Sequence, residues 1–204
     1  MLKNELQCRS AQFILADFNT AVLQICTLPN LLLNWASCNG YLDSDQGELE
    51  LTEQLLAGFL ESNGSITFNF ISGSWGSSFL DQVKEALRQT FQPTTTKYGP
   101  NNSGTGYLAS HSDLMPQPCH MLMLASESIY SLSSMVPFAN LLADLCTLAE
   151  ERGNCTSLVA AKRIYFGVGG GVDSFVSCLH GTGRSASFLW EEDQGVGRVI
   201  LGIT

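Results

Sequence analysis

Apolar residues fall along the chain in short blocks whose spacing switches between alternation and helical recurrence. Gln12 to Ala16 reads as a first strand that ends at Asp17, and Asn19 with Thr20 supplies the oxygen-bearing side chains favoured at a helix N-cap. A helix is predicted from about Thr20 toward Trp35, with Val22, Ile25, Cys26, Leu32 and Leu33 on its apolar face and Pro29 kinking or dividing it. After a polar stretch from Cys38 to Gly47, Glu48 to Glu61 reads as an acidic amphipathic helix carrying Leu51, Leu55, Leu56, Phe59 and Leu60, and Gly64 ends it. Ser65 to Ser72 alternates and is rich in β-branched and aromatic residues, so it predicts a second strand that delivers Gly73, Ser74 and Trp75 at its end. A helix through Phe79, Val83, Leu87 and Phe91 follows.

Gln92 to His120, with its TTT, NNSGTG and three prolines, is expected to be a long flexible insertion. Met121 to Ala125 reads as a buried strand running into Ser126-Glu127-Ser128-Ile129-Tyr130. Ser133 is expected to cap a long helix built on Met135, Phe138, Leu142, Leu145 and Leu148, which Gly153 stops. A strand over Ser157 to Phe166 leads into Gly167-Val168-Gly169-Gly170-Gly171, then a short helix near Asp173 to Leu179, then Ser187 to Trp190 and Arg198 to Ile203 as a hairpin. Strands alternating with helices predict an α/β fold: one domain over 1–204 with a mostly parallel sheet, helices on its faces and an antiparallel hairpin at the end. The strand ends at Asp17, Gly73 to Trp75, Ser126 to Tyr130 and Gly167 to Gly171 are expected to open on one edge of that sheet.

Ten Lys and Arg against nineteen Asp and Glu leave a formal charge of -9 over 204 residues. Such a chain does not condense onto phosphate backbone or anionic lipid, so nucleic acid and membrane are not expected partners, whereas a basic protein is allowed. The seven cysteines are odd in number, form no CxxC pair and sit mostly in apolar runs, which predicts reduced, buried thiols and a cytosolic or nuclear protein. Met1 to Ser10 lacks the apolar core of a signal peptide, and the apolar stretches look far shorter than the roughly 20 residues of a bilayer span.

Each candidate motif has a plainer alternative. Asp17, closing the first βα turn, could hold ribose hydroxyls or could be a helix-N-terminal charge. Trp75 beside Gly73 could pack on an adenine face or fill the core. The GVGGG run is not a GxGxxG phosphate loop, because Val172 stands at its last glycine position. It suits a mobile loop, a close backbone approach to a bound protein segment, or an ordinary tight turn. His111, His120 and His180 match no metal-site spacing, and no serine sits in a GxSxG elbow.

Taken in order, Ala16-Asp17-Phe18-Asn19 with Leu28-Pro29-Asn30, Ser72-Gly73-Ser74-Trp75, Ala125-Ser126-Glu127-Ser128-Ile129-Tyr130 and Tyr165-Phe166-Gly167-Val168-Gly169-Gly170-Gly171-Val172 resemble the protein-histidine N-methyltransferases, a branch of the Rossmann-like, seven-strand class I methyltransferases. The resemblance implies S-adenosylmethionine as cofactor and a histidine of a protein, a basic large-subunit ribosomal protein, as substrate. By that likeness Asp17 meets the cofactor ribose, and Gly73, Trp75, Ala125 and Ser126 border its adenosine and methionine portions. Tyr130, Gly167, Gly169 and Gly170 face the substrate, and Glu127 orients the imidazole or else serves a helix-cap or structural role. Family members open the catalytic domain with a strand and a glycine-rich loop, whereas Met1 to Ala11 contains no glycine, so the first strand is expected to be missing and the domain N-terminally incomplete. That departure leaves room for a non-catalytic binding or scaffold protein, and a lysine-directed methyltransferase is a further alternative.

Overall fold

A computed structural model describes residues 11–41, 49–61, 66–90 and 119–204. The expectations for Gly47 and Glu48, Gly64, Phe91 and all but the last two residues of the predicted insertion fall outside the described residues. The described residues divide into two compact units, one made from those up to Ser74 with Asp81–Thr90, the other from Trp75–Leu80 with those after Thr90.

In the first unit, strand β1 (Ala11–Asp17) pairs in parallel with β2 (Ile66–Ser72), in a register that sets Asp17 opposite Ser72. Asn19 caps the helix that follows β1, its side-chain oxygen accepting the amide of Ala21 at 2.9 Å. That helix is not continuous α-helix. One turn, α1 (Thr20–Val22), widens into a π-helical turn over Leu23–Thr27 and resumes as α2 (Leu28–Cys38), three residues beyond the expected end. Pro29 does not break the helix, which runs on to Cys38; the irregularity that accompanies it is the π-helical turn just before it, where a proline's missing N–H and bulky ring disturb the regular i to i−4 bonding. Helix α3 (Glu53–Glu61) buries Leu55 and Phe59. Phe59 packs edge-on to Trp35 and stacks on Phe68 of β2, which stacks on Phe13 of β1. Most of helix α4 (Ser77–Thr90) also belongs here, burying Val83, Ala86 and Leu87, and the Gln12 amide donates to the Ala86 carbonyl at 2.9 Å.

The second unit contains a four-stranded sheet in the order β3-β4-β6-β5. Strand β3 (Cys119–Ser126) runs parallel to β4 (Gly153–Lys162), β6 (Arg198–Ile203) is antiparallel to β4, and β5 (Ala186–Glu192) forms the expected hairpin with β6, irregular between Phe188 and Trp190. Helices α5 (Leu132–Glu150) and α6 (Val172–His180) bury Met135, Phe138, Leu142, Phe175 and Leu179 with Val159 and Ala161 of β4 and Val199 and Leu201 of β6.

Several boundaries move for identifiable reasons. Cys119 and His120, assigned to the insertion, begin β3, where they pair with Gly153 and Asn154. Ser131, not Ser133, is the N-cap of α5, since it is the last residue with extended backbone. Gly153 begins β4 rather than ending α5, which stops at Glu150, and β4 ends at Lys162 because Arg163 to Gly171 folds back on itself. Among the described residues the four strand pairings are spread over two sheets rather than one, and two of the four, β4 with β6 and β5 with β6, are antiparallel.

Two readings of composition also change. Cys26 and Cys38 are exposed and Cys155 and Cys178 half-buried, so of the five described thiols only Cys146 is buried; helical spacing turns the cysteines of an apolar run to different sides. Thr20–Cys38 and Leu132–Glu150 are each 19 residues long and apolar enough to cross a membrane by length and composition, because scattered polar residues shorten an apolar run without making the helix polar. Leu132–Glu150 buries eight of its residues in the core.

Candidate functional site

The expected site residues divide between the units. Asp17 and Gly73 lie in the first, where the Gly73 amide donates to the Asp17 carbonyl at 3.3 Å, joining the ends of β1 and β2. The Asp17 carboxylate accepts the Asn19 amide through Oδ1 at 2.7 Å, an Asx turn that orders the step from strand into helix. Its Oδ2 has no partner among the described residues. The side chain therefore serves a turn, which neither of the two readings of Asp17 foresaw, and keeps an acceptor free. Beside it, the Thr20 and Ser72 hydroxyls meet at 2.8 Å.

Trp75, Ala125, Ser126, Glu127, Tyr130, Gly167, Gly169 and Gly170 all belong to the second unit. Trp75 packs edge-on to Phe79 and Phe138, with ring centroids 5.0 and 5.8 Å away, and leans on the core, as the core-filling alternative requires. Ala125 is half-buried against that core and Ser126, the last residue of β3, is exposed.

The residues just past β3 and β4 converge. Glu127 has φ 55, the one non-glycine residue with positive φ among the described residues, and its amide donates to the Ala160 carbonyl of β4 at 3.1 Å. Left-handed backbone is uncommon outside glycine, and Glu127 lacks the short side chain that lets Asn or Asp adopt it. The Glu127 carboxylate lies 3.5 Å from Lys162 Nζ, at the end of β4. Lys162 in turn sits over the Tyr165 ring, 5.6 Å from its centre, and its amide donates to the Tyr165 hydroxyl at 3.1 Å. Burial pushes the Tyr165 phenol up, the Lys162 amide opposes, and the charge and hydrogen bonding of Glu127 push it further up, so the group is a neutral phenol across the physiological range.

The glycine segment closes the same corner. Gly169 bridges to Ser131 with φ 77, and the Gly170 amide donates to the Tyr130 carbonyl at 3.1 Å. A Cβ on Gly170 would lie 2.2 Å from that carbonyl oxygen, so the close backbone approach anticipated for this run is made by the chain to its own Ile129-Tyr130 segment. Gly170 is buried, while Gly167 and Gly169 are exposed in a turn that carries Phe166, 82% exposed, into solvent. Tyr130 is half-exposed and its ring lies 6.4 Å from that of Tyr165. Lys162 was not singled out from the sequence, and Tyr165 stands there only as the first residue of the glycine-bearing motif, with no role of its own. The available signal was a basic residue interrupting an apolar strand three positions before a tyrosine, spacing that a turn after the strand can bring together. Among the described residues no three His, Cys, Asp or Glu side chains cluster as a metal site.

No family model matches the chain. Individual relatives do. The chain is 29% identical over 196 residues to "Histidine protein methyltransferase 1" of Saccharomyces cerevisiae, covering 88% of this chain and 44% of the yeast protein. It is 31% identical over 206 aligned positions to "Histidine protein methyltransferase 1" of Schizosaccharomyces pombe, covering 98% of this chain and 50% of that protein. The chain thus spans about half the length of the curated relatives it matches. The similarity to these two histidine protein methyltransferases runs along most or nearly all of this chain.

Proposed function

We propose that the protein transfers a methyl group from S-adenosylmethionine to a histidine side chain of a protein. The observation that carries this reading is the similarity to two proteins of that name over 88% and 98% of the chain. The strand pattern supports it: parallel pairs β1/β2 and β3/β4 and an antiparallel last strand are what a Rossmann-like methyltransferase sheet would contribute.

The chemistry asks little of side chains. The cofactor, when bound, supplies a methyl group on a sulfonium, whose sulfur is an excellent leaving group. Neutral imidazole, with an ordinary pKa of about 6.5, already carries the nucleophilic lone pair at cellular pH. The protein's task is alignment, which can account for most of the acceleration. Asp17 fits a ribose-binding role because one carboxylate oxygen remains free after its Asx turn. Trp75 fits an adenine-stacking role poorly, since its ring is engaged with Phe79 and Phe138. Ala125 and Ser126 end β3 where cofactor is expected in such folds. Glu127 would accept the N–H of the imidazole and fix which nitrogen is presented, and Tyr130 with the Gly167–Gly169 turn would face the protein substrate. A basic substrate, including a ribosomal protein, suits the chain's charge of -9. Residence in the cytosol or nucleus follows on this proposal, with neither nucleic acid nor membrane as a direct partner.

A methylation assay with labelled S-adenosylmethionine and histidine-containing peptides tests the reading. Label on histidine, located by mass spectrometry, is expected; label on lysine, or none, overturns it. A non-catalytic binding protein is the second reading, favoured because the Trp75 ring is engaged with Phe79 and Phe138 rather than open to an adenine. Isothermal titration separates the two: cofactor binding supports catalysis, and a flat titration supports the scaffold.

A further inference from the structure

We propose that Tyr165, together with Lys162, is a positioning residue that fixes the direction in which the Glu127 carboxylate points. The inference rests on the reading of Glu127 as the group that meets the imidazole, and it gives a role to two residues for which neither the sequence motifs nor the relatives' names supply one.

Glu127 stands on an exposed turn, and a carboxylate there would ordinarily sample several rotamers. Two contacts restrict it, and a third group holds the lysine that makes one of them. Its backbone is tied to β4 through the Ala160 carbonyl, which fixes the left-handed conformation and hence the direction of the Cα–Cβ bond. Lys162 Nζ lies 3.5 Å from one carboxylate oxygen, at the end of the same strand. Tyr165 acts through that lysine: its hydroxyl accepts the Lys162 amide at 3.1 Å, and its ring lies 5.6 Å from Lys162 Nζ. Tyr165 is itself fixed, being buried in the core with its amide donating to the Gly170 carbonyl at 3.3 Å. A carboxylate whose backbone and whose partner lysine are both tied down is built for direction, because an exposed ion pair by itself contributes little to stability.

The test is Tyr165→Phe, which keeps the ring and its packing and removes only the hydroxyl, with Lys162→Met as a second variant. In solution, the Lys162 amide of Tyr165→Phe should exchange with solvent faster than in the unaltered chain, and Glu127 should populate more than one side-chain rotamer by NMR couplings. With a peptide carrying a single histidine, kcat should fall about tenfold to a hundredfold while KM changes little, as for a misaligned reacting group. A purely structural role predicts that Phe behaves as Tyr and that only Tyr165→Ala fails. An unchanged Glu127 rotamer distribution overturns the proposal, and so does an unchanged kcat. Should the unaltered chain transfer no methyl group to any histidine peptide, it is the proposed function that fails; the rotamer and exchange measurements still decide the positioning role.

Discussion

In the second unit nine large side chains, Phe175, Ile129, Met135, Leu179, Leu201, Val159, Val172, Val199 and Cys146, are shielded almost completely, whereas among the described residues no large side chain of the first unit reaches that depth. The first unit rests on a two-stranded sheet with Phe13 and Phe70 partly in water, and a two-stranded pairing by itself is marginal. The contrast separates two demands. Glu127, Tyr130, Lys162 and Tyr165 stand where backbone and side chains are held by a deep core, and Asp17 stands where opening is cheaper. Low local stability is the normal property of elements that order around a ligand.

The largest effect that tests this contrast comes from the core itself. Phe175→Ala should cost about 3–5 kcal/mol in denaturant unfolding, whereas Phe59→Ala in the first unit should cost about 2 kcal/mol because its neighbours are half-exposed. Equal losses would erase the difference between the units. The next effect is a pH dependence confined to the second unit. Burial, with Cys155 alongside, pushes the Cys146 thiol up to about 11 from 9.0. Below the ordinary value both folded and unfolded chains keep the proton; between it and about 11 only the unfolded chain releases it. Stability should therefore decline as pH climbs through that window, by about 2 kcal/mol in all, and Cys146→Ala should flatten the decline. A slope that survives the substitution would assign it to another group.

Smaller effects concern the site. Glu127→Gly removes a carboxylate from a left-handed backbone and should leave stability unchanged or raise it by up to about 1 kcal/mol while abolishing methyl transfer. A marked loss of stability would mean that the Lys162 and Tyr165 contacts are structural. Asp17→Ala should shift stability by about 0.5 kcal/mol or less, since it removes a single exposed Asx turn, yet weaken cofactor binding in a calorimetric titration. Unchanged affinity would withdraw the ribose assignment.

Much of the frame was legible because it depends on local signals. The short apolar run before Asp17, the Asn19 cap, the alternation of ITFNFIS and the terminal hairpin all appear where periodicity and cap chemistry placed them. The site was legible only as strand ends. What escapes depends on tertiary geometry: the high β propensity of Ile164-Tyr165-Phe166 carries the predicted strand through Phe166, and this hides the turn that returns Tyr165 to Lys162. The left-handed Glu127 escaped as well, since Ser-Glu-Ser carries no glycine or asparagine to announce it.

The wide turn at Leu23–Thr27 acts as a one-residue insertion spliced into an otherwise regular screw. Each residue of a regular helix advances the screw by about 100°, and the wide turn takes up its extra residue over the same angle, so deleting one residue there would straighten the helix and leave everything downstream in phase. Trp35 would keep its alignment with Tyr41 and Phe59, and Ala36 its solvent-free seat. A deletion after Pro29, in regular α-helix, would instead swing the helix's far end by a quarter turn or more.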